Sequence, residues 1–324
     1  MRTTENGVLK MSRPVYTTVT RTQGNNHALK EGIVKPNGFD LEFIDMPVLV
    51  HGFRKMVRNL EFDISEMAAT TYLCAHEHGV KFTALPIFLV RDFHHKAIRY
   101  NVNSGIKTPQ DLMGRRVGVN RGYTVTTGVW ARGFLQSEHG VDLNKITWVL
   151  SGDEHVADYQ PPANVVPIED GKDMEAMLMS GELDAAIGVA VEHENIRTLI
   201  DQPFDAAVAA VRHQGIYPIN HLMVVRDEVL EQNPDIAAEL FDLFVRSKQL
   251  YLETLRNGGI AAPTKIDQIH AAVDPILGDP LPYGIESNRL VLETLVKHAR
   301  DQNIITKPVE IDTLFAPACR DLNG

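Results

Sequence analysis

The stretch GIKTPQDLMGRRVGVN, Gly105 to Asn120, reads as a fresh start in the middle of the chain. Thr108 and Pro109 open a short helical turn, Gly114 ends it, and RVGV at 116–119 begins a buried strand. Upstream, β-rich runs alternate with helical patterns: VYTTVT (15–20), FDLEFI (39–44), a helix, then FTALPIFLV (82–90). That alternation argues α/β architecture with largely parallel sheets. Downstream come ITWVL (146–150), a loop at Pro161 and Pro162, a helix from Asp173 to Ser180 and the strand ELDAAIG (182–188). From IYPINHLMVVRDEVL (216–230) onward the pattern is helical, with amphipathic stretches around Ala237 to Leu255 and Ser287 to Arg300. Those helices have no sheet of their own to cover. The chain is therefore expected to leave a first lobe near Tyr100, build a second, and return near His221. The expected lobes are 1–102 with 221–324, and an inserted 103–220, and loops after the strand C-termini line the cleft between them.

A length of 324 residues with 44% apolar content supports a large core and two domains. The net charge of −10, from 42 acidic and 32 basic residues, comes without a basic block, so nucleic acid is not an expected partner. Cys74 and Cys319 stand far apart with no CxxC spacing, so both read as reduced packing residues. The N-terminal stretch MRTTENGVLKMSRPVYTTVT has no apolar run of signal-peptide length and no later stretch reaches that of a membrane span, which points to a soluble cytoplasmic protein. Met11 precedes the first strand, and the first ten residues read as a loose leader or a misplaced start.

Several stretches could carry chemistry. RGYTVTTGVWARG, 121–133, places Tyr123, Thr124, Thr126 and Thr127 between the strand RVGV and a helix containing Val129, Phe134 and Leu135. Hydroxyls beside the free N–H groups and positive end of a helix make a site for a carboxylate or phosphate, whereas capping alone needs a single threonine. SGDEHVADY, 151–159, offers His155, which titrates in the neutral range as an ordinary imidazole, with Asp153 or Glu154 beside it. IYPINHLMVVR places His221 at the return crossover, and FDISEMAATTYL places Glu66 where a strand meets a helix. The segment Pro47 to Leu60 puts Leu49, Phe53, Met56, Val57 and Leu60 on one helical face, with Arg54 and Arg58 one turn apart. LPIFLVRDFHHKAI puts Arg91, His94 and His95 near a strand end.

The pairs His94/His95 and His76/His78 invite a metal reading, but adjacent strand residues face opposite ways, and His76 and His78 face apart on a helix. No metal or organic cofactor is expected. The HExxH pattern, glycine-rich phosphate loops and a GxSxG elbow are absent from the sequence.

Taken together, RVGVNRGYTVTTGVWARG, SGDEHVADY, GIYPINH, FRKMVRNLEFDISEM and PYGIESNRLVLETLVKHA resemble the 4,5-dihydroxyphthalate decarboxylase family, over about Val15 to Pro317. The resemblance implies a two-lobed type II periplasmic-binding-protein-like fold with two mixed, mainly parallel sheets, two crossovers and an interlobe cleft. It also implies nonoxidative removal of one carboxylate from 4,5-dihydroxyphthalate to give protocatechuate and CO2. In the first βα loop, Thr20 precedes Arg21 where the relatives' pattern has an acid.

Loss of CO2 directly from an aromatic ring would leave a carbanion perpendicular to the π system. Protonating the carboxylated carbon first avoids that, with a para hydroxyl supplying electrons as it becomes a carbonyl. His221 or His155 is the expected proton donor, and Glu66 the acceptor of the phenolic proton. A tight ion pair to the departing carboxylate would stabilise the ground state, so Arg54 or Arg91 is assigned to the retained one, with the threonine and N–H donors serving either. The partner is then a small aromatic dicarboxylate, with a homo-oligomer open through the C-terminal helices. The main alternative is a noncatalytic solute-binding protein for a small carboxylate, from which the usual signal sequence is missing.

Overall fold

The computed structural model describes residues 13–324. The reading of the first ten residues as a leader lies outside them. In chain order the first segment contains β1 (Val15–Val19), α1 (Gly24–Lys30), β2 (Asp40–Phe43), α2 (Leu49–Asn59), β3 (Ile64–Ala68), α3 (Ala69–Glu77) and β4 (Phe82–Arg91). The second contains β5 (Ile98–Asn101), β6 (Arg116–Val119), α4 (Thr126–His139), β7 (Thr147–Leu150), β8 (Val165–Pro167), α5 (Met174–Ser180), β9 (Ala185–Ile187) and β10 (Ile196–Thr198). α6 (Pro203–Gln214) then leads to β11 (Ile219–Arg226), followed by α7 (Asp227–Gln232), α8 (Ile236–Arg256), α9 (Lys265–Leu277) and α10 (Arg289–Asp301).

Two sheets result, ordered β2-β1-β3-β11-β4 and β10-β5-β9-β6-β7-β8. The strands expected to be largely parallel are so where βα units repeat: β1 with β2 and β3, and β6 with β7 and β9. Antiparallel pairing enters with the strands that cross between lobes. β5 joins β9 and β10 antiparallel, and β11 inserts antiparallel between β3 and β4. The division expected at 102/103 and 220/221 thus cuts just after β5, which pairs in the second sheet, and inside β11, which pairs in the first.

β4 and β11 read as nearly unbroken apolar runs because their residues are buried on both faces, so alternation is not required, although β4 ends its sheet and has beyond it only the bridge from Ala84 to Phe315. In α2 the apolar stripe buries Leu49, Phe53, Met56 and Val57, and Leu60 ends the helix in a left-handed conformation (φ 50°). The C-terminal helices cover the first sheet and reach the second lobe, where Gln302 accepts from the buried Arg132 at 2.8 Å and donates to the Val129 carbonyl at 2.9 Å. The segments that follow β3 and β6 meet at one interlobe seam, where Thr70 on α3 lies against Thr126 on α4.

Candidate active site

Glu66 lies on β3 and His221 on β11, in adjacent antiparallel strands with Ala68 opposite His221. Their side chains meet at 2.6 Å, His221 Nδ1 to Glu66 Oε1. The other carboxylate oxygen accepts from Thr20 Oγ1 at 2.8 Å and the Arg21 N–H at 3.0 Å. Glu66 is fully buried. Burial alone pushes its carboxyl upward, but the hydrogen bonds with His221, Thr20 and Arg21 outweigh it and hold the group below the usual carboxylate range. As an anion it accepts from Nδ1–H, which leaves His221 Nε2, on a partly exposed ring, as the atom able to give or take a proton.

His155 approaches from the second lobe. Its Nδ1 is 3.2 Å from Thr71 Oγ1 near the start of α3. Burial, reinforced by the Arg54 and Arg121 guanidiniums, lowers it to about 4, so at neutral pH this imidazole is uncharged. The Phe53 ring meets both histidines edge-on, with centroids 5.1 Å from His221 and 6.2 Å from His155. One aromatic side chain on α2 thus spaces a carboxylate-bound imidazole from a neutral one.

The 121–127 loop is built as an anion nest, but its occupant is internal. The Glu154 carboxylate accepts from the Tyr123 N–H, from the Thr124 N–H at 3.1 Å and from Thr124 Oγ1 at 2.6 Å. The substrate carboxylate expected there therefore meets donors already filled by the chain itself. Gly122 permits this approach, since a Cβ at that position would fall 2.5 Å from a Glu154 oxygen. Arg121, in the left-handed region (φ 70°), turns the loop, with its N–H on Ser151 Oγ at 2.7 Å.

None of the threonines caps α4, whose N-cap is Val125 with no side-chain bond. Thr126 instead meets α3 across the seam: its Oγ1 lies 2.9 Å from Thr70 Oγ1 and accepts from the Thr70 N–H at 3.2 Å. The next residue, Thr127, rotates away by a helical step and lines a separate crevice of about 290 Å³ with Lys96, Arg99, Gly188 and Lys265. Tyr123 contributes only its N–H, because its ring is buried beneath the Arg132 guanidinium, 3.8 Å from the ring centroid.

The arginines divide. Arg54 and Arg58, on one face of α2, reach over the seam to Asp153, at 2.6 and 3.1 Å, and Arg58 also donates to the Glu154 and His155 carbonyls. Arg91 is buried, and its guanidinium is committed to the Tyr217 carbonyl at 2.8 Å, the Pro282 carbonyl at 3.3 Å and Asn288 Oδ1. It makes no hydrogen bond to the other candidates. His94 and His95 face apart, to Asn220 Oδ1 at 2.8 Å and Glu138 Oε2 at 3.1 Å. Among the described residues no group of three or more His, Cys, Asp or Glu side chains is arranged to hold a metal.

The contacts therefore join Glu66, His221, His155, Thr124, Thr126 and Arg54 along one seam, and leave Arg91, Thr127 and the Tyr123 ring outside it. Sequence reasoning passed over Thr70, Thr71 and the spacer role of Phe53. The paired threonines one residue beyond the strand ISEMA were the available clue, since residues following a strand C-terminus border the cleft.

No family model matches the chain. A 4,5-dihydroxyphthalate decarboxylase from Comamonas testosteroni is 27% identical over 289 residues, covering 82% of this chain and 86% of that relative. Another, from Pseudomonas putida, is 35% identical over 145 residues, 42% of this chain and 55% of the relative. The chain is thus related in sequence to proteins of that name, as the motifs implied. Among solved structures, the periplasmic aliphatic sulphonate binding protein SsuA from Escherichia coli matches with TM-score 0.54 at 13% identity, over 94% of this chain and 98% of that one. The desulfurization enzyme DSZB matches with TM-score 0.53 at 16% identity, over 94% and 97%. At such identities the fold is what is shared: the two-lobed periplasmic-binding-protein arrangement.

Proposed function

From the sequence relationship to 4,5-dihydroxyphthalate decarboxylases, we propose that this chain is a carboxy-lyase that converts 4,5-dihydroxyphthalate to protocatechuate and CO2 without an organic cofactor. The observation that carries this reading is the buried Glu66–His221 pair, with uncharged His155 across Phe53.

In the first step His221 Nε2 gives its proton to the ring carbon bearing the departing carboxylate. The C–H bond forms from ring π electrons while the para hydroxyl becomes a carbonyl, its proton passing to neutral His155. In the second step the C–CO2 bond breaks, its electron pair restores the aromatic ring, the proton held by His155 returns to the carbonyl oxygen, and His221 regains its spent proton from solvent before the next turnover. Glu66 acts through His221, because both its oxygens are spent on the protein. It holds the ring and stabilises the charge that the imidazole carries before transfer. That replaces the direct role in phenol deprotonation expected from sequence. Arg54, half-exposed at the seam, is the cation for the retained carboxylate, exchanging Asp153 for substrate. Arg91 is assigned to scaffolding. A cytoplasmic location belongs to the same reading, in keeping with two buried unpaired thiols.

The test is incubation of purified protein with 4,5-dihydroxyphthalate, with and without chelator, following CO2 and protocatechuate. Stoichiometric release that survives chelation is expected. Binding without turnover would favour the second reading, a noncatalytic binder of small carboxylates, which the structural likeness to SsuA supports.

A further inference from the structure

Outside the seam, α1, α8 and the start of α9 border an open-mouthed cavity of about 860 Å³. Its walls include Ala28, Ile33, Leu250, Ile260 and Ile266. Three polar atoms among its lining residues are buried without a partner: Gln23 Nε2, Asn25 Oδ1 and His270 Nε2. Asn25 and His270 are only 2% and 3% exposed, and water-excluded polar atoms are normally paired.

The hydrogen bonding behind them fixes what they require. Asp267 is held below the usual carboxylate range, because hydrogen bonds from Tyr251 and Thr264 outweigh its burial. It therefore takes the single hydroxyl proton of Tyr251 at 2.6 Å. The Tyr251 oxygen must then accept from His270 Nδ1–H at 2.8 Å. Burial lowers His270 to about 4, so the ring is neutral and Nε2 presents a lone pair. Asn25 uses its NH2 on the Leu89 carbonyl and Tyr283 Oη, which leaves Oδ1 as a second acceptor. Gly24, the first residue of α1, lets that helix close on this relay, since a Cβ there would fall 2.2 Å from the Tyr251 ring.

We propose that this cavity is a binding site for a phenol, an apolar ring system whose hydroxyl donates to His270 Nε2 or Asn25 Oδ1 while its oxygen can accept from Gln23 Nε2. Two acceptors that need a donor select the hydroxyl, and the aliphatic walls select the ring. The site is separate from the Glu66–His221 pair, although Arg21 lines the cavity and gives its N–H to Glu66.

The test is titration of the intact protein with 2-naphthol and with 2-methoxynaphthalene, which lacks the donor, by calorimetry. Saturable one-to-one binding of 2-naphthol is expected, at least tenfold tighter than the ether, and at least tenfold weakened by His270→Phe and by Leu250→Glu. Leu250 lies at the exposed rim, so its variant remains informative should His270→Phe fail to fold. Absence of saturable binding, equal affinity for the two compounds, or hydroxyl-dependent binding indifferent to the folded variants would each overturn the proposal.

Discussion

The hydroxyls of Thr70 and Thr126 stand 2.9 Å apart where the N-termini of α3 and α4, helices from opposite lobes, face each other. Neither helix has a side-chain N-cap bond, so these hydroxyls do across the seam what caps ordinarily do within one helix. Thr70 Oγ1 donates to the Thr124 carbonyl at 2.5 Å, and Thr126 Oγ1 takes the Thr70 N–H. Replacing Thr126 by Val keeps the shape and strands a buried donor, so a loss of about 1–3 kcal/mol is expected in urea denaturation. Thr126→Ser should recover most of it. A valine variant as stable as the parent would show that the seam is not held here.

Glu66→Gln removes the charge behind His221 while keeping side-chain volume. With substrate, kcat should fall by roughly 10²- to 10⁴-fold and KM change little, since Glu66 touches the imidazole and not the ring being decarboxylated. There is also a stability signature. The folded carboxyl lies below its unfolded value, so its stabilisation is complete above the unfolded pKa and is lost as pH falls through the folded one. Melting of the Gln variant should consequently depend less on pH below about 4.5 than melting of the parent. Parallel curves for the two proteins would contradict the assignment of an ionised Glu66.

Much of this arrangement was written locally and could be read. The α2 stripe, the restart at RVGV and the return through β11 follow from apolar periodicity and helix stops, which depend on near neighbours. Pairings between distant residues were not legible. Glu154 fills the 121–127 nest from 30 residues away, and Asn288 draws Arg91 into the core from 197 away. Nothing in either segment alone announces the partner. β5 escaped the expected second lobe because IRYN is four residues long and becomes a strand by pairing with β9 and β10. Thr126 and Thr127 are indistinguishable as residue types, and only the helical rotation between them decides which faces the seam.

Four buried histidines, His94, His155, His270 and His298, are each lowered to about 4 by burial. In the unfolded chain they protonate near pH 6.5. Protons therefore favour the unfolded state first, and stability that is full above about pH 6.5 should decline as pH falls toward 4. The melting temperature measured every half unit through this window should drop steadily. His94→Gln, which can still meet Asn220, should shallow the slope below about pH 6.5. A flat profile between those limits would mean that these rings are solvated.

Arg54 and Asp153 yield a prediction of opposite signs. Both are substantially exposed, at 35% and 62%, so their bond contributes only about 0–1 kcal/mol to stability. If Arg54 must leave Asp153 to hold the retained carboxylate, then Asp153 competes with substrate. Asp153→Asn should lower KM several-fold, on the order of half to one kcal/mol of binding. Arg54→Lys should raise it, because a lysine ammonium cannot match the planar fork of the guanidinium on a carboxylate. Both changes should leave denaturation midpoints nearly unmoved, and the difference between the variants should shrink at high salt as exposed charges are screened. Steady-state kinetics of the two variants decide the matter. KM shifts in the same direction for both would reduce Arg54 to a latch between the lobes and remove it from substrate recognition.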